Sequence, residues 1–220
     1  MKIDLHVHTK WSEDSINLPW LIMKMIKKRK LDGLAVTDHN SIRGWKSMQE
    51  AARRYGLQLI LGEEIKVYHN GKLSGEVLGL FLNEEIRKGE PEEVIDHIRQ
   101  QDGAAVIAHP FDRIKGFRNL DSFAGKIDAV EAFNARVFSM ATNNMAFDFA
   151  EKTRLGCTGG SDAHIPIEVG LAYTVADCSD LEGFRKALKR RETRFFGRMV
   201  FPLTHFCGIT ILSLKKAGYF

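Results

Sequence analysis

The chain has 220 residues, with 32 Lys plus Arg against 28 Asp plus Glu, a formal net charge of +4, and 44% hydrophobic and 27% charged positions. That apolar fraction and small net charge exclude a disordered chain, and four surplus positive charges are too few to announce a nucleic-acid binder. The longest apolar stretch, near Val200–Leu214, is interrupted by Pro202, Thr204, His205, Gly208 and Thr210, short of the ~18 continuous apolar residues of a membrane span. From the N-terminus, Lys2–His8 reads as a strand and Leu18–Lys30 as a helix with Leu21, Ile22, Met25 and Ile26 on one face. Leu34–Thr37 is a short buried strand, followed by a helix near Ile42–Tyr55 that Gly56 stops. Leu57–Tyr68 and Gly75–Leu82 are strands joined around His69-Asn70-Gly71, where the Asn-Gly pair signals a hairpin. Glu92–Gln101 is a helix entered from Pro91. Ala104–Ala108, Ala129–Ala132 and Cys157–Gly160 are short strands, with a helix near Ser139–Arg154 before the last. Ala172–Val175 is a further strand and Leu181–Arg191 a further helix. Such alternation predicts an α/β protein with a parallel sheet, open or closed into a barrel, filling residues 1–220 as a single domain.

Lys2, Asp4, His6 and His8 break any N-terminal apolar run, and Cys157, Cys178 and Cys207 form no Cys-x-x-Cys pair. The expectation is therefore a reduced, cytoplasmic protein with no membrane attachment and no obligate protein partner. The clusters Lys24–Lys30 and Arg185–Arg194 lie on helical patterns and read as solvated faces. Phe133, Phe138, Phe147, Phe149 and the pair Phe195-Phe196 read as core. His97 in a helix, His69 at a hairpin turn and His205 in the apolar tail are read as structural.

The informative residues are those that end the strands. His6 and His8 close the first, Asp38-His39 the second, Glu63-Glu64 lies in the third and Glu76 opens its hairpin partner. His109, Glu131 and the pair Asp162 and His164 follow in the same way. In a parallel barrel the C-terminal strand ends converge on one face, where active sites are built. Residues two apart in a strand point to one side, so His6-Val7-His8 presents both imidazoles together, and Asp162-Ala163-His164 repeats that spacing. Imidazoles and carboxylates without thiolate suit Zn²⁺, Mn²⁺ or Fe.

The motifs Asp4-Leu5-His6-Val7-His8-Thr9, Thr37-Asp38-His39, Gly62-Glu63-Glu64, Ala108-His109-Pro110 and Gly160-Ser161-Asp162-Ala163-His164 resemble the signatures of the PHP (polymerase and histidinol phosphatase) superfamily, in the family's order. The resemblance implies a distorted (β/α)7 TIM-like barrel with two or three divalent metal ions at the strand C-termini. The implied activity is hydrolysis of phosphoesters, commonly monoesters, by a metal-activated water, and an open site favours nucleotides or short oligonucleotide ends among them. Carried over by position, it implies His6, His8, His39, Glu64, His109, Asp162 and His164 as metal ligands, with Glu64 bridging two ions and Glu64, Asp162 and His164 catalytic. Two positions depart from the family pattern: Glu13 or Asp14 supplies the next ligand, Asp14 being favoured, and Glu76 stands where many members have His. Asp14, Glu64, Glu76 and Asp162 contribute about −4 against +6 from three divalent ions, an excess near +2 that suits a phosphate dianion. Lys10, Arg43, Arg113 and Arg136 are candidate phosphate contacts, and Asp38 and Glu131 supports behind the ligands. The alternatives are an accessory, non-catalytic module of the polymerase-associated type, a histidinol-phosphatase-like enzyme, or an amidohydrolase, which also begins with His-x-His. Glu76 and His109 lie 33 residues apart, too close for an intervening lid domain. That spacing predicts an open site and broad activity, unless the loop Asp112–Ala124 folds over the substrate.

Overall fold

The computed structural model describes residues 1–201 together with Thr204, Thr210, Ser213 and Lys215, and His205 and Cys207 lie outside the described residues. In chain order its elements are β1 (Lys2–Val7), α1 (Pro19–Lys28), β2 (Gly33–Val36), α2 (Trp45–Tyr55), β3 (Gln58–His69), β4 (Lys72–Leu80) and α3 (Pro91–Gln100). They continue as β5 (Ala104–Ile107), β6 (Ala129–Asn134), α4 (Met140–Thr153), β7 (Gly156–Gly160), β8 (Ala172–Val175), α5 (Leu181–Lys189) and β9 (Arg194–Gly197). Local chemistry sets the boundaries. Pro19 and Pro91 occupy first turns, where a missing N–H costs nothing. Gly56 ends α2 in the left-handed conformation, φ 63°. Ser139 and Asp180 cap α4 and α5 by accepting the N–H groups of Ala141 and Gly183. Asn70 and Gly71, at φ 51° and 74°, form the two-residue turn between β3 and β4 that matches the twist of its strands.

The sheet is mixed rather than parallel. Its order is β7-β6-β5-β4-β3-β2-β1-β8-β9, with β1, β2 and β3 parallel and β5, β6 and β7 parallel. Between these triplets β4 runs antiparallel to both neighbours, and β8 and β9 add antiparallel strands beside β1. A regular seven-fold strand–helix repeat is therefore broken at the β3–β4 hairpin and at the β8–β9 end. The strand missed in the sequence, β9, is four residues long and mostly exposed, so it lacks the alternation that marks a half-buried strand. Phe195 still packs on Phe133 and Phe147, whereas Phe138 and Phe147 are exposed rather than core.

Beyond β7 the chain returns to β1 and nearly closes a barrel. His8 N–H donates to the Ala163 carbonyl at 3.1 Å and Asp162 N–H to the His6 carbonyl at 2.8 Å. A Cβ on Gly160 would stand 2.4 Å from the His6 Cβ, so this approach requires glycine. A register shift in β1 between Asp4 and Val7 has a larger consequence. Leu5 and Ala35 share one apolar cluster, while Val7, Leu34 and Val36 belong to the other, packed under α1 and α2. The extra residue turns His6 to the Leu5 side while keeping Val7 outside, the usual work of a bulge beside a site. Phe184 and Leu188 of α5 pack into the same cluster as Ile3, Leu5, Ile60 and Leu80, and the buried polar side chains collect beyond it.

Candidate metal centre

Nine side chains from seven segments converge here. His6 lies in β1 and His8 just after it, Asp14 in the loop to α1, His39 after β2, Glu64 in β3 and Glu76 in β4. Because β4 runs antiparallel, Glu76 at its midpoint pairs with Lys66 in the C-terminal half of β3 and so reaches the ligand end. His109 follows β5, and Asp162 and His164 follow β7. Glu64 is fully buried and central: its carboxylate oxygens stand 3.4 Å from His6 Nε2, 3.3 Å from His8 Nε2, 2.8 Å from His39 Nδ1 and 3.0 Å from His109 Nε2. Asp162 Oδ1 lies 3.2 Å from His8 Nε2 and 3.6 Å from His6 Nε2. Asp14 Oδ2 is 3.1 Å from both His39 Nε2 and His164 Nε2. Glu76 approaches His109 at 3.3 Å and His39 at 3.7 Å. Glu13 is exposed and takes no part. His109 and Asp162 hold left-handed backbones, φ 28° and 52°, each costing on the order of 1 kcal/mol or more that the surrounding structure must sustain.

A second ring of groups orients these. Glu131 takes His6 Nδ1 at 3.0 Å and accepts His109 N–H and the Asn134 amide, so His6 must present Nε2 to the centre. Asp38 accepts Thr9 N–H, the Thr9 hydroxyl and the Ser12 hydroxyl. Ser12 Oγ in turn accepts His39 N–H and touches His8 Nδ1 at 3.2 Å. Asp38 thus acts on the imidazoles through Ser12.

The electrostatics ask for a cation. Burial opposes ionisation of Glu64 and Asp162, yet the imidazoles around them hold both carboxyls well below the usual range. Asp14 is held low in the same way by His164 and His39. Against burial, Glu64 and Asp14 push His39 up to about 10, and Glu131 and Glu64 raise His6. His8 is driven to about 3 by burial and by His164 and His39, so it is a neutral imidazole, the form that binds metal. Burial and the Glu64 charge push Glu76 upward. Protons on His6 and His39 therefore balance charge that divalent ions would balance instead. The hydrogen bonding agrees: Asp14 Oδ1, both Glu76 oxygens and His109 Nδ1 are buried without a hydrogen bond, and His39 Nδ1, Glu64 Oε2 and Asp162 Oδ1 have only ion-pair contacts that lack hydrogen-bond geometry, although such groups are nearly always paired. Three groupings have ligand atoms within 4.8 Å of one another: His8, Asp14, His39 and His164; His6, His8 and Glu64; and His39, Glu64 and Glu76. The donor set fits a divalent metal ion.

A cavity of roughly 190 Å³ opens over this cluster, lined by Asp14, His109, Asp162 and His164 on the ligand side. Its other lining comes from Asp112, Ile114 and Lys115 of the β5–β6 loop and Arg136, Val137 and Phe138 of the β6–α4 loop. The 112–124 loop thus forms one wall. Of the four cations named from sequence only Arg136 lines the cavity, and its Nη1 is bound at 2.7 Å to both oxygens of buried Glu168. Glu168 also accepts the N–H groups of His164 and Ile165. Lys10 is exposed and sits over the Trp11 ring, and Arg43 and Arg113 are exposed. Lys115 and Glu168 were missed; neither follows a strand end directly, and nothing in the spacing separates Lys115 from its neighbour Arg113.

The PHP domain family model matches residues 4–153, and a PHP-associated family model matches residues 141–193. Two uncharacterized proteins of Methanocaldococcus jannaschii are similar: one is 38% identical over 67% of this chain and 90% of its own length, the other 36% identical over 79% and 69%. Among solved structures, a two-domain protein from Bacteroides vulgatus containing a predicted PHP-like metal-dependent phosphoesterase aligns at TM-score 0.75 and 20% identity, over 90% of this chain and 65% of that one. The chain therefore spans just under two thirds of that two-domain protein. An amidohydrolase from Chromobacterium violaceum with bound sulfate and no metal aligns at TM-score 0.64 and 20% identity, over 86% and 96%.

Proposed function

The chain belongs to the PHP domain family, and from that premise we propose that it is a metal-dependent phosphoesterase, a hydrolase acting on small phosphate monoesters. The carrying observation is the convergence of five imidazoles and four carboxylates on one buried cluster, several of whose inward atoms make no hydrogen bond, directly beneath a cavity bearing two cations. In this reading two or three divalent ions of Zn, Mn or Fe are held by His6, His8, Asp14, His39, Glu64, Glu76, His109, Asp162 and His164. When bound, such ions polarise phosphoryl oxygens and supply a water of near-neutral pKa as nucleophile. The chain's own residues do the rest. Glu64 sits between four imidazoles and would be shared by the ions; Glu131 and the Ser12–Asp38 pair fix ring orientations; Asp162 and His164 face the cavity, where a proton must reach the departing oxygen. All 220 residues are read as one domain, and no helix among the described residues is long and apolar enough to cross a membrane.

The amidohydrolase reading is kept because a similar fold carries that description. A panel of phosphomonoesters, including nucleoside monophosphates, histidinol phosphate and short oligonucleotide ends, set beside amides and assayed with Mn²⁺, Zn²⁺ and Fe²⁺, decides the matter. Turnover of the phosphates alone supports the proposal, turnover of amides alone replaces it, and neither with full metal content favours an accessory module.

A further inference from the structure

Lys115 differs from Arg136 in what it touches. Its loop is held rigid by its own hydrogen bonds: Asp112 Oδ1 accepts the N–H groups of Ile114 and Lys115 at 2.8 and 3.0 Å, and the Pro110 carbonyl accepts Phe117 N–H at 2.8 Å. A Cβ on Gly116 would stand 2.3 Å from the Asp112 carbonyl oxygen, so a glycine is needed for this fold-back. Phe117 is buried against the Phe123 ring, 5.3 Å between centroids, which anchors the loop's far end. Lys115 is thereby delivered into the cavity above Asp14, His109, Asp162 and His164. Among the described residues no carboxylate oxygen comes within 4 Å of its ammonium, whereas the Arg136 guanidinium is engaged by Glu168. A half-buried ammonium with no ion-pair partner has lost part of its hydration without a counterion to replace it. Burial opposes its charge, but Asp162, Glu64, Glu76 and Asp14 hold it above the ordinary lysine range, so it stays charged at neutral pH.

We propose that Lys115 is the cation that grips the phosphoryl group of the substrate in this cavity, while Arg136 serves the fold through Glu168; the assignment rests on the phosphoesterase reading above. A lysine suits the task because its compact charge carries three rotatable donors. It can follow phosphoryl oxygens as they rearrange, and a charge-assisted hydrogen bond to such an oxygen is about twice as strong as a neutral one.

The test uses metal-loaded wild type, Lys115→Met, the milder Lys115→Gln and Lys115→Arg, with inorganic phosphate as probe. Calorimetric titration measures phosphate affinity, elemental analysis the metal content, and p-nitrophenyl phosphate kinetics the KM and kcat. The expected result is phosphate binding weakened at least tenfold in Lys115→Met and Lys115→Gln, a matching rise in KM, unchanged metal content, and recovery of most affinity in Lys115→Arg. Phosphate affinity unchanged in both neutral variants, while wild type binds phosphate and cleaves esters, overturns this assignment alone. So does loss of metal with phosphate affinity retained, which would make Lys115 part of the cluster's charge balance. Wild type that neither binds phosphate nor cleaves any phosphoester overturns the phosphoesterase reading and this one together.

Discussion

Glu64→Gln is the sharpest perturbation of the proposed centre. The substitution keeps the volume and one carbonyl oxygen but removes a fully buried negative charge from among four imidazoles, 2.8 to 3.4 Å away. Three of them, His6, His39 and His109, are raised in part by this carboxylate, so they lose the partner that balances their protons. Breaking a buried ion pair from one side costs about 3–5 kcal/mol, and the metal-free variant should melt lower by a corresponding amount. With metal supplied, loss of this central carboxylate should remove at least one equivalent of bound ion. It should also lower kcat on the order of 10²-fold or more, the scale of a key electrostatic group, with KM changing far less because the phosphate contacts remain. The assay pairs elemental analysis of the reconstituted protein with steady-state kinetics on p-nitrophenyl phosphate. Full metal content and kcat within threefold of wild type, with collapse in Glu63→Gln instead, would refute the assignment of the central glutamate.

Glu63, its neighbour in sequence, is buried with one oxygen accepting Ile86 N–H and the other unpartnered. Burial, with Glu85 and Asp38 nearby, pushes its carboxyl from 4.5 up to about 7. A raised acid binds its proton more tightly folded than unfolded, so stability falls as pH rises from about 4.5 to 7 and stays reduced above; at ~1.4 kcal/mol per pH unit this amounts to roughly 3 kcal/mol. Glu63→Gln should therefore stabilise the protein at pH 8 and have little effect at pH 4.5, measured by urea unfolding at both; equal effects at the two would contradict the burial argument. Arg136→Met strands the fully buried Glu168 carboxylate and should destabilise by about 3–5 kcal/mol. Thermal unfolding within one degree of wild type would show that Arg136 is not the structural cation described. Ile114 and Phe138, 82% and 77% exposed, flank the cavity, and on the phosphoesterase proposal they would contact the leaving group. Serine at either should lower kcat/KM for aryl phosphates several-fold more than for glycerol phosphate, and parallel losses on both substrates would place the leaving group elsewhere. Metal removal by a chelator should abolish turnover and lower the melting temperature; activity surviving with under one equivalent of any divalent metal would argue against a cluster.

What the sequence determines by itself is local and periodic. Strand–helix alternation, the Asn70-Gly71 turn, the Gly56 stop and the ends of most elements follow from chemistry within a few residues, so they can be read without the fold. The His-x-His and Asp-x-His spacings are local too, and each places two ligand atoms on one side of a chain segment wherever that segment goes. Distance relations are another matter. Whether Asp14 or Glu13 turns inward depends on where His39 and His164 stand, and these are brought from β2 and from beyond β7 only by barrel closure. The antiparallel run of β4, which carries Glu76 to the ligand end, follows from the Asn70-Gly71 hairpin, but the extra residue in β1, which turns His6 inward, is a property of strand pairing that no single strand's pattern reveals. The cations show the same division most plainly. Lys10, Arg43, Arg113, Lys115 and Arg136 are alike in sequence; a buried carboxylate 32 residues away occupies Arg136, and a folded-back loop points Lys115 into the cavity. Charge identity is written residue by residue, but which charge is already paired is decided by contacts between distant segments, and those exist only once the chain has folded.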